Sequence, residues 1–419
     1  MVSLAACVRG SAWPSRRIAA ANAYARRHAA TTDRSSLAPA VRVAVVHDWL
    51  VTWRGGERVL AQILRVFPDA DLFALVDFLS DADRRALGGR RATTSFLQRL
   101  PFAANGFRNY LPLFPRAVES LDVAGYDLVI SSSHAVAKGA RTHRGQLHIC
   151  YCYTPMRYAW DMREQYLAQT GYDRGVRGAV ARHTLARLRA WDHAASERVD
   201  RFIAISRHIA GRIRRSYGRD ATVIHPPVAV EPLQAAVPRG GCYVTVSQLV
   251  PYKRIELIAQ AFRELPDREL VVIGEGPERA RIEAAAPANV RFVGWCADAE
   301  RDRWLAGARA FIFAAEEDFG IAPLEAHAFG TPVIAYSGGA AAETIPGLDA
   351  PSPTGVLFGE QSASAIARAV REFEQNETRI RPDACRANAG RFAPERFRAE
   401  LAEFVASCTR DKVGAPVMR

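Results

Sequence analysis

Apolar, β-branched runs alternate with helical patterns along almost the whole chain. In the first half the runs are "VRVAVVHDW" (41–49), "LFALV" (72–76), "YDLVISSS" (126–133), "LHICYCYT" (147–154), "RFIAIS" (201–206) and "TVIHPPV" (222–228). In the second half they are "CYVTVSQL" (242–249), "ELVVIGEG" (269–276), "VRFVGW" (290–295), "AFIFAA" (310–315), "PVIAY" (332–336) and "GVLF" (355–358). Continuous apolar strands separated by helices predict parallel sheets covered on both faces. The stretch "HPPVAVEPLQAAVPRGG" splits the runs into two series. Consecutive prolines stop helix and sheet alike, so 226–240 reads as a linker. The prediction is an α/β chain of two doubly wound domains, 41–230 and 231–391, with 392–419 a terminal helix and tail. Ligands of open parallel sheets bind beyond the carboxyl ends of the strands, so the natural site is a cleft between the two sheets.

Composition agrees with this. A chain of 419 residues suits two domains of ordinary size. Hydrophobic residues make up 49% and charged residues 24%, a soluble globular balance. No apolar run reaches the ~18 residues of a membrane span. The seven Cys are odd in number. Cys150 and Cys152 fall on one face of a strand, which reads as reduced, buried thiols of a cytosolic protein. No second Cys pair or spaced His pair accompanies them, so no metal site is expected.

Charge adds two points. The net charge is +12, and six Arg against one Asp fall in the first forty residues. That Ala- and Arg-rich stretch, 1–40, lacks the apolar core of a secretory signal. It resembles a transit peptide in composition and reads as disordered or as a non-native extension. Residues 174–219 carry twelve Arg. They suit an anionic partner such as phosphate, an acidic lipid surface or nucleic acid, or else form a solvated helical face. No recognised nucleic-acid motif is present, so nucleic acid is not an expected partner. Only three cations are Lys: Lys138, Lys253 and Lys412. In so Arg-biased a chain a retained Lys points to a place that needs a compact ammonium. Lys412 lies in a polar tail; the other two follow strands.

Four stretches carry candidate chemistry. In "HDWLVTWRGGERVL" (47–60) a strand leads through Gly55 and Gly56 into a helix. The glycines let backbone N–H groups approach a phosphate at the helix end, or simply make the turn. In "VSQLVPYKRIEL" (246–257) Lys253 and Arg254 follow the first strand of the second series, placed to neutralise a leaving diphosphate. In "EEDFGIAPLEAHAFGTPVIAYSGG" (316–339) Glu317 lies in a loop and Glu325 on the helix behind it. Phe319, Gly320 and Ile321 offer amides near the helix start, where an anion is welcome. Acids set among apolar residues need partners, and sugar or ribose hydroxyls would serve. In "SSSHAVAKGA" (131–140) and "YCYTPMRYAWD" (151–161), His134, Lys138, Tyr153 and Arg157 follow strands of the first sheet. They suit a sugar or lipid-phosphate site, although a lone His is more often structural. The pairs Asp69/Asp71 and Asp81/Asp83 read as turn chemistry rather than a metal motif.

Together these stretches resemble the retaining glycosyltransferases of family 4 (group 1), over about 41–405. The most specific element is Glu317, seven residues, then Glu325. "LVPYKRIEL", "VVIGEGPE", "VRFVGW" and "GVLF" are similar to the family's nucleotide-sugar domain in order. "HDWL…GGER", "SSSHAVAKG" and "CYTPMRYAWD" resemble the subgroup of O-antigen and exopolysaccharide mannosyltransferases. "FAPERFRAELAEFV" (392–405) resembles the family's terminal helix, which crosses back to the first domain. The resemblance implies the GT-B fold, two Rossmann-like domains facing a central cleft. It implies retaining transfer of a hexose, with mannose from GDP-mannose the expected donor. The acceptor would be lipid-linked or a polysaccharide, in cell-surface glycan synthesis, without metal or cofactor. The place would be the cytoplasm or the inner face of an anionic membrane, which "RLPFAANGFRNYLPLFPR" (99–116) would touch. By the same resemblance Glu317, Lys253 and His134 serve catalysis. Glu325, Arg254, Gln248, Phe319, Gly320, Ile321 and Gly274 bind the donor. Gly55, Gly56, Lys138, Tyr153 and Arg157 serve the phosphates or the acceptor side. Gln248 stands where many relatives have Arg, and Tyr153 where they often have His, so altered donor choice or reduced activity is an open consequence. Three other readings fit parts of the chain: a nucleotide-sugar epimerase, a sugar phosphorylase (which lacks its cofactor lysine here), or a non-catalytic anion- or nucleotide-sugar-binding protein.

Overall fold

The computed structural model describes residues 41–171, 174–229 and 237–414; the first forty residues and 230–236 of the linker lie outside them. The first sheet comprises β1 (Val43–His47), β2 (Asp71–Ala74), β3 (Thr93–Thr94), β4 (Leu128–Ser133), β5 (Leu147–Cys152), β6 (Arg201–Ala204) and β7 (Ala221–Val223). The second comprises β8 (Tyr243–Val246), β9 (Leu270–Ile273), β10 (Val290–Gly294), β11 (Ala310–Phe313), β12 (Val333–Tyr336) and β13 (Gly355–Phe358). The spatial orders are β3-β2-β1-β4-β5-β6-β7 and β10-β9-β8-β11-β12-β13. Neighbouring strands run parallel throughout.

Each sheet is buried on both faces, which is why its strands read as unbroken apolar runs. Along β1, Val45 packs with Leu60 and Ile63, while Ala44 and Val46 face Phe114 and Val118 on the other side. The exception is the end of β4, where Ser131, Ser132 and Ser133 are buried. Their hydroxyls are engaged: Ser131 with His148 at 2.9 Å, Ser132 with His47 at 3.0 Å, and Ser133 accepting from the Lys138 amide at 3.3 Å. Buried hydroxyls need such partners.

Five helices matter for the site: α1 (Gly55–Val66), α2 (Gly175–Ser196), α3 (Arg207–Tyr217), α4 (Ile321–Ala328) and α5 (Pro394–Gly414). Helix α5 packs Phe397, Leu401 and Val405 into the core of the first sheet, with Val59, Leu60 and Phe202. Lys412 is therefore helical, and it bonds the Gln146 carbonyl and pairs with Asp200.

The order of strands explains the site. In each sheet the chain winds outward in both directions from a central pair, β1/β4 in one and β8/β11 in the other. The crevice at such a switch point opens beyond the carboxyl ends of that pair. The loops there are 48–54 and 134–140 on one side, 247–254 and 314–320 on the other.

Three details differ from the pattern-based expectation. β3 was not foreseen, since two threonines on a sheet edge carry no hydrophobic period. The run "TVIHPPV" pairs only as far as Val223, because Pro226 and Pro227 have no amide to donate. Asp81 and Asp83 open a short helix whose cap is Ser80, rather than a turn.

Candidate active site

A cavity of about 760 Å³ lies between the two switch points and is lined by both halves of the chain. Its second-sheet wall is built by the loop after β11. Gly320, at φ +84°, ends that loop and starts α4. The first turn of any helix leaves its amides without intrahelical acceptors. Those around Phe319, Gly320 and Ile321 line the cavity. Glu317 forms an ion pair with the Lys253 ammonium. Glu325, on α4, accepts from Arg58 of α1 at 3.1 Å. Both carboxylates thus carry a cation. Gly274 lines the same wall, and a Cβ there would stand 1.8 Å from the Ser247 carbonyl oxygen, so only glycine fits.

The first-sheet wall is built by the start of α1. Gly55 meets the second half closely: an added Cβ would lie 2.8 Å from Ile321 Cδ1. The helix is capped from within, since Glu57 accepts the Arg54 amide at 3.0 Å. Burial raises the Glu57 carboxyl, but hydrogen bonds and charge, His47 foremost, bring it below its ordinary value. Tyr153 lines the cavity and donates to the Gly56 carbonyl at 3.0 Å. Its hydroxyl also meets Ser132 at 2.9 Å, and burial pushes its pKa up, so it is a neutral strut. Gln248 sits opposite and accepts from Arg54 at 3.5 Å, across the cleft.

Four expected residues do not line the cavity. Lys138 is wholly buried, 2.5 Å from Asp192 and 2.6 Å from the Ala135 carbonyl oxygen, so it does not reach a phosphate. Arg254 is exposed and lies at φ +58°, where it starts the next helix. The loop sends Lys253 into the cleft in its place. Arg157 is turned to Asp318, at 3.5 Å, along the seam between the halves. His134 lies beside the cavity, 34% exposed, its ring centroid 6.2 Å from that of Tyr153. Asp48 holds it at 2.9 Å and accepts four successive amides, His134 to Ala137, at 2.6–3.0 Å. Burial opposes the Asp48 charge, but His134 and those amides hold the carboxylate well below its usual range. Burial likewise disfavours an imidazolium, yet Asp48 raises the His134 pKa on balance.

Several site groups were not singled out from sequence. Arg54 and Arg58 are four apart, one helical turn, and both point across the cleft; the spacing in "WRGGER" was the available signal. Asp298 lies 3.8 Å from Arg58. Asp318, inside the quoted "EEDFG", is pushed up to about 6 by burial and by Glu317 and Glu316, against the pull of Arg157 and Arg212.

The basic stretch 174–219 is not one patch. Arg198 pairs with Glu119, Arg219 bonds backbone carbonyls, and Arg212 is buried against Asp318. Within 99–116, Phe107 and Phe114 are buried, while Phe102 is 87% exposed. Among the described residues no group of His, Cys, Asp or Glu converges as a metal site would, and no helix is long and apolar enough to cross a membrane.

Two parallel sheets with facing switch points around a shared cleft are the arrangement of the GT-B fold. The profile of the group described as glycosyl transferases group 1 matches residues 239–392, and that of glycosyltransferase family 4 matches 53–232. The chain belongs to this family. It is similar to a phosphatidyl-myo-inositol mannosyltransferase of Propionibacterium freudenreichii, 35% identical over 152 residues. That match covers 33% of this chain and 38% of the relative. In fold it is similar to HepE of Anabaena, solved with UDP-glucose, at a TM-score of 0.60 and 16% identity, over 87% of this chain and 99% of that one. It is also similar to the sucrose-phosphate synthase of Thermosynechococcus elongatus, at a TM-score of 0.62 and 17% identity, over 89% of this chain and all of that one. A lipopolysaccharide outer core galactosyltransferase, WaaB, matches at a TM-score of 0.60 and 16% identity, over 87% of this chain and all of that one.

Proposed function

We propose that the chain transfers a hexose, with retention, from a nucleotide sugar to a lipid-linked or polysaccharide acceptor. We take the donor to be GDP-mannose. The observation that carries the reading is the double pairing in the cleft, Lys253 on Glu317 and Arg58 on Glu325. Each carboxylate is a hydroxyl acceptor held in check by a cation that a diphosphate would draw away. The mannosyltransferase relative supports mannose and a lipid acceptor.

In this reading Glu325 accepts the ribose hydroxyls and Glu317 those of the sugar. Lys253 and the amides at the start of α4 face the diphosphate. As the sugar–phosphate bond breaks, negative charge builds on the leaving group. Fixed donors aimed at it lower the barrier most, because they need no reorganisation. The acceptor hydroxyl enters from the first-sheet wall and attacks the face that the diphosphate leaves. No carboxylate is assigned as a nucleophile, and the reading calls for no metal. Closure of the two halves keeps water from the donor.

We place the protein in the cytoplasm, at the inner face of an anionic membrane. Phe102 is exposed between Arg99 and Arg108, and Val176 and Val180 are exposed along Arg-rich α2. Apolar side chains among cations suit the headgroup boundary.

The test is nucleotide release from a panel of GDP- and UDP-sugars, with and without lipid-linked acceptor, for the native chain and Glu317→Ala. Release from one donor that needs acceptor and is lost in the variant supports the transferase and names its donor. Turnover without acceptor points to an epimerase. Donor binding without turnover points to the non-catalytic reading.

A further inference from the structure

The loop that carries Glu317 is gripped from the opposite half of the molecule, one residue further on. Asp318 is 15% exposed, and each of its carboxylate oxygens meets a different guanidinium. Oδ1 accepts from Arg212 at 2.8 Å, and Oδ2 lies 3.5 Å from Arg157. Its backbone carbonyl accepts from the Ser206 hydroxyl at 2.7 Å. All three partners belong to the first half: Arg212 on α3, Ser206 at the cap of that helix, Arg157 in the segment after β5. Arg212 is itself fixed, 7% exposed and 3.0 Å from Asp161. Ser206 is fixed too, since its hydroxyl also accepts the Ile209 amide at 3.1 Å.

The position of this grip matters. On one side of Asp318 is Glu317, paired with Lys253. On the other are Phe319 and Gly320, which start α4 and line the cavity. A relative movement of the two halves therefore pulls on the chain between the carboxylate and the helix amides. Nearby contacts are looser: Glu316 lies 3.9 Å from His208 and from Arg212, and Phe319 packs against Phe392 at 5.5 Å between centroids, an apolar joint without direction. A carboxylate held at both oxygens and at its carbonyl fixes orientation as well as distance.

We propose that Asp318 is a positioning residue, through which Arg212, Arg157 and Ser206 set Glu317 and the start of α4 in register when the halves close. Asp318 also lines the cavity, but both its carboxylate oxygens are taken up by the two guanidiniums, so it acts through its neighbours; the proposal rests on the transferase reading above.

The experiment measures kcat, donor KM and nucleoside diphosphate affinity for the full chain and for Asp318→Asn, with thermal unfolding of each. Misplacement by about an ångström costs on the order of 100-fold in rate, so the expected loss in kcat is of that order, with affinity for the diphosphate within about threefold. Arg212→Gln, which leaves the Arg157 contact, should lose somewhat less, and the double variant should be no worse than Asp318→Asn alone, since that change already breaks the Arg212 link. A purely structural role would lower the melting temperature and leave kcat per folded molecule unchanged, and that result overturns the proposal. Equal multiplication of the two single losses in the double variant also overturns it. If Asp318→Asn does not fold, Arg157→Gln keeps the Arg212 link and is read by the same kcat criterion, with a smaller loss. No turnover of any donor by the unaltered chain fails the transferase reading itself, and is distinguished by that control.

Discussion

Replacing Lys138 by Met tests whether this lysine is structural. The side chain keeps its length and loses its charge. Lys138 and Asp192 are both wholly buried, 2.5 Å apart. Asp192 also accepts from Tyr217 at 2.6 Å and Trp160 at 2.8 Å. Removing one member of a buried pair leaves the other uncompensated, at a typical cost of about 3–5 kcal/mol. The Ala135 carbonyl loses its donor as well, worth about 1 kcal/mol. Urea unfolding at pH 7 reads this directly, alongside donor turnover by the folded fraction, which should be unchanged. A stability loss below about 1 kcal/mol at pH 7 would refute the reasoning. So would lost turnover with intact stability, which would return Lys138 to the phosphate.

Lys253→Ala should lower kcat by at least about 100-fold, as removal of a fixed donor to developing charge does, with single-turnover kinetics as the check. Gly55→Val should hold the halves apart, since even a Cβ lies 2.8 Å from Ile321 Cδ1; small-angle scattering should show a larger radius, and Gly55→Ala a smaller effect. The Asp318 carboxyl, pushed up to about 6 from 3.8, binds its proton more tightly folded than unfolded. Its contribution to stability is thus complete below about pH 4 and lost as pH rises through 6, up to about 3 kcal/mol in all. Asp318→Asn should remove that slope from the urea midpoints, and an unchanged slope would contradict it. Phe102→Ser should reduce sedimentation with anionic vesicles several-fold and leave turnover of a soluble acceptor unchanged.

Much of the architecture was legible because a parallel sheet buried on both faces writes each strand as an apolar run, and twelve such runs fell where strands lie. Proline at 226 and 227 marked the break between the two series for an equally local reason. The glycines at 55, 56 and 320 and the acids at 317 and 325 were legible from their places at strand ends. Strand order was not, since it depends on which edges pair. That order makes β1/β4 and β8/β11 the switch points, and so brings 54–58 opposite 317–325.

What side chains face was decided only by the tertiary structure. Lys138 and Lys253 look alike in sequence, each a rare lysine after a strand. One meets Asp192, 54 positions on and wholly buried; the other meets Glu317 in an open cleft. Arg157 and Arg212 read as parts of basic stretches, yet they converge on Asp318, because the partner that draws a charge out of water lies in the other half of the chain. A charge's neighbours within a few ångströms determine whether it binds substrate or builds the fold, and in this protein those neighbours are mostly distant in sequence. The chain by itself determined two α/β halves and the loops that carry chemistry; the approach of the halves determined which of those groups meet.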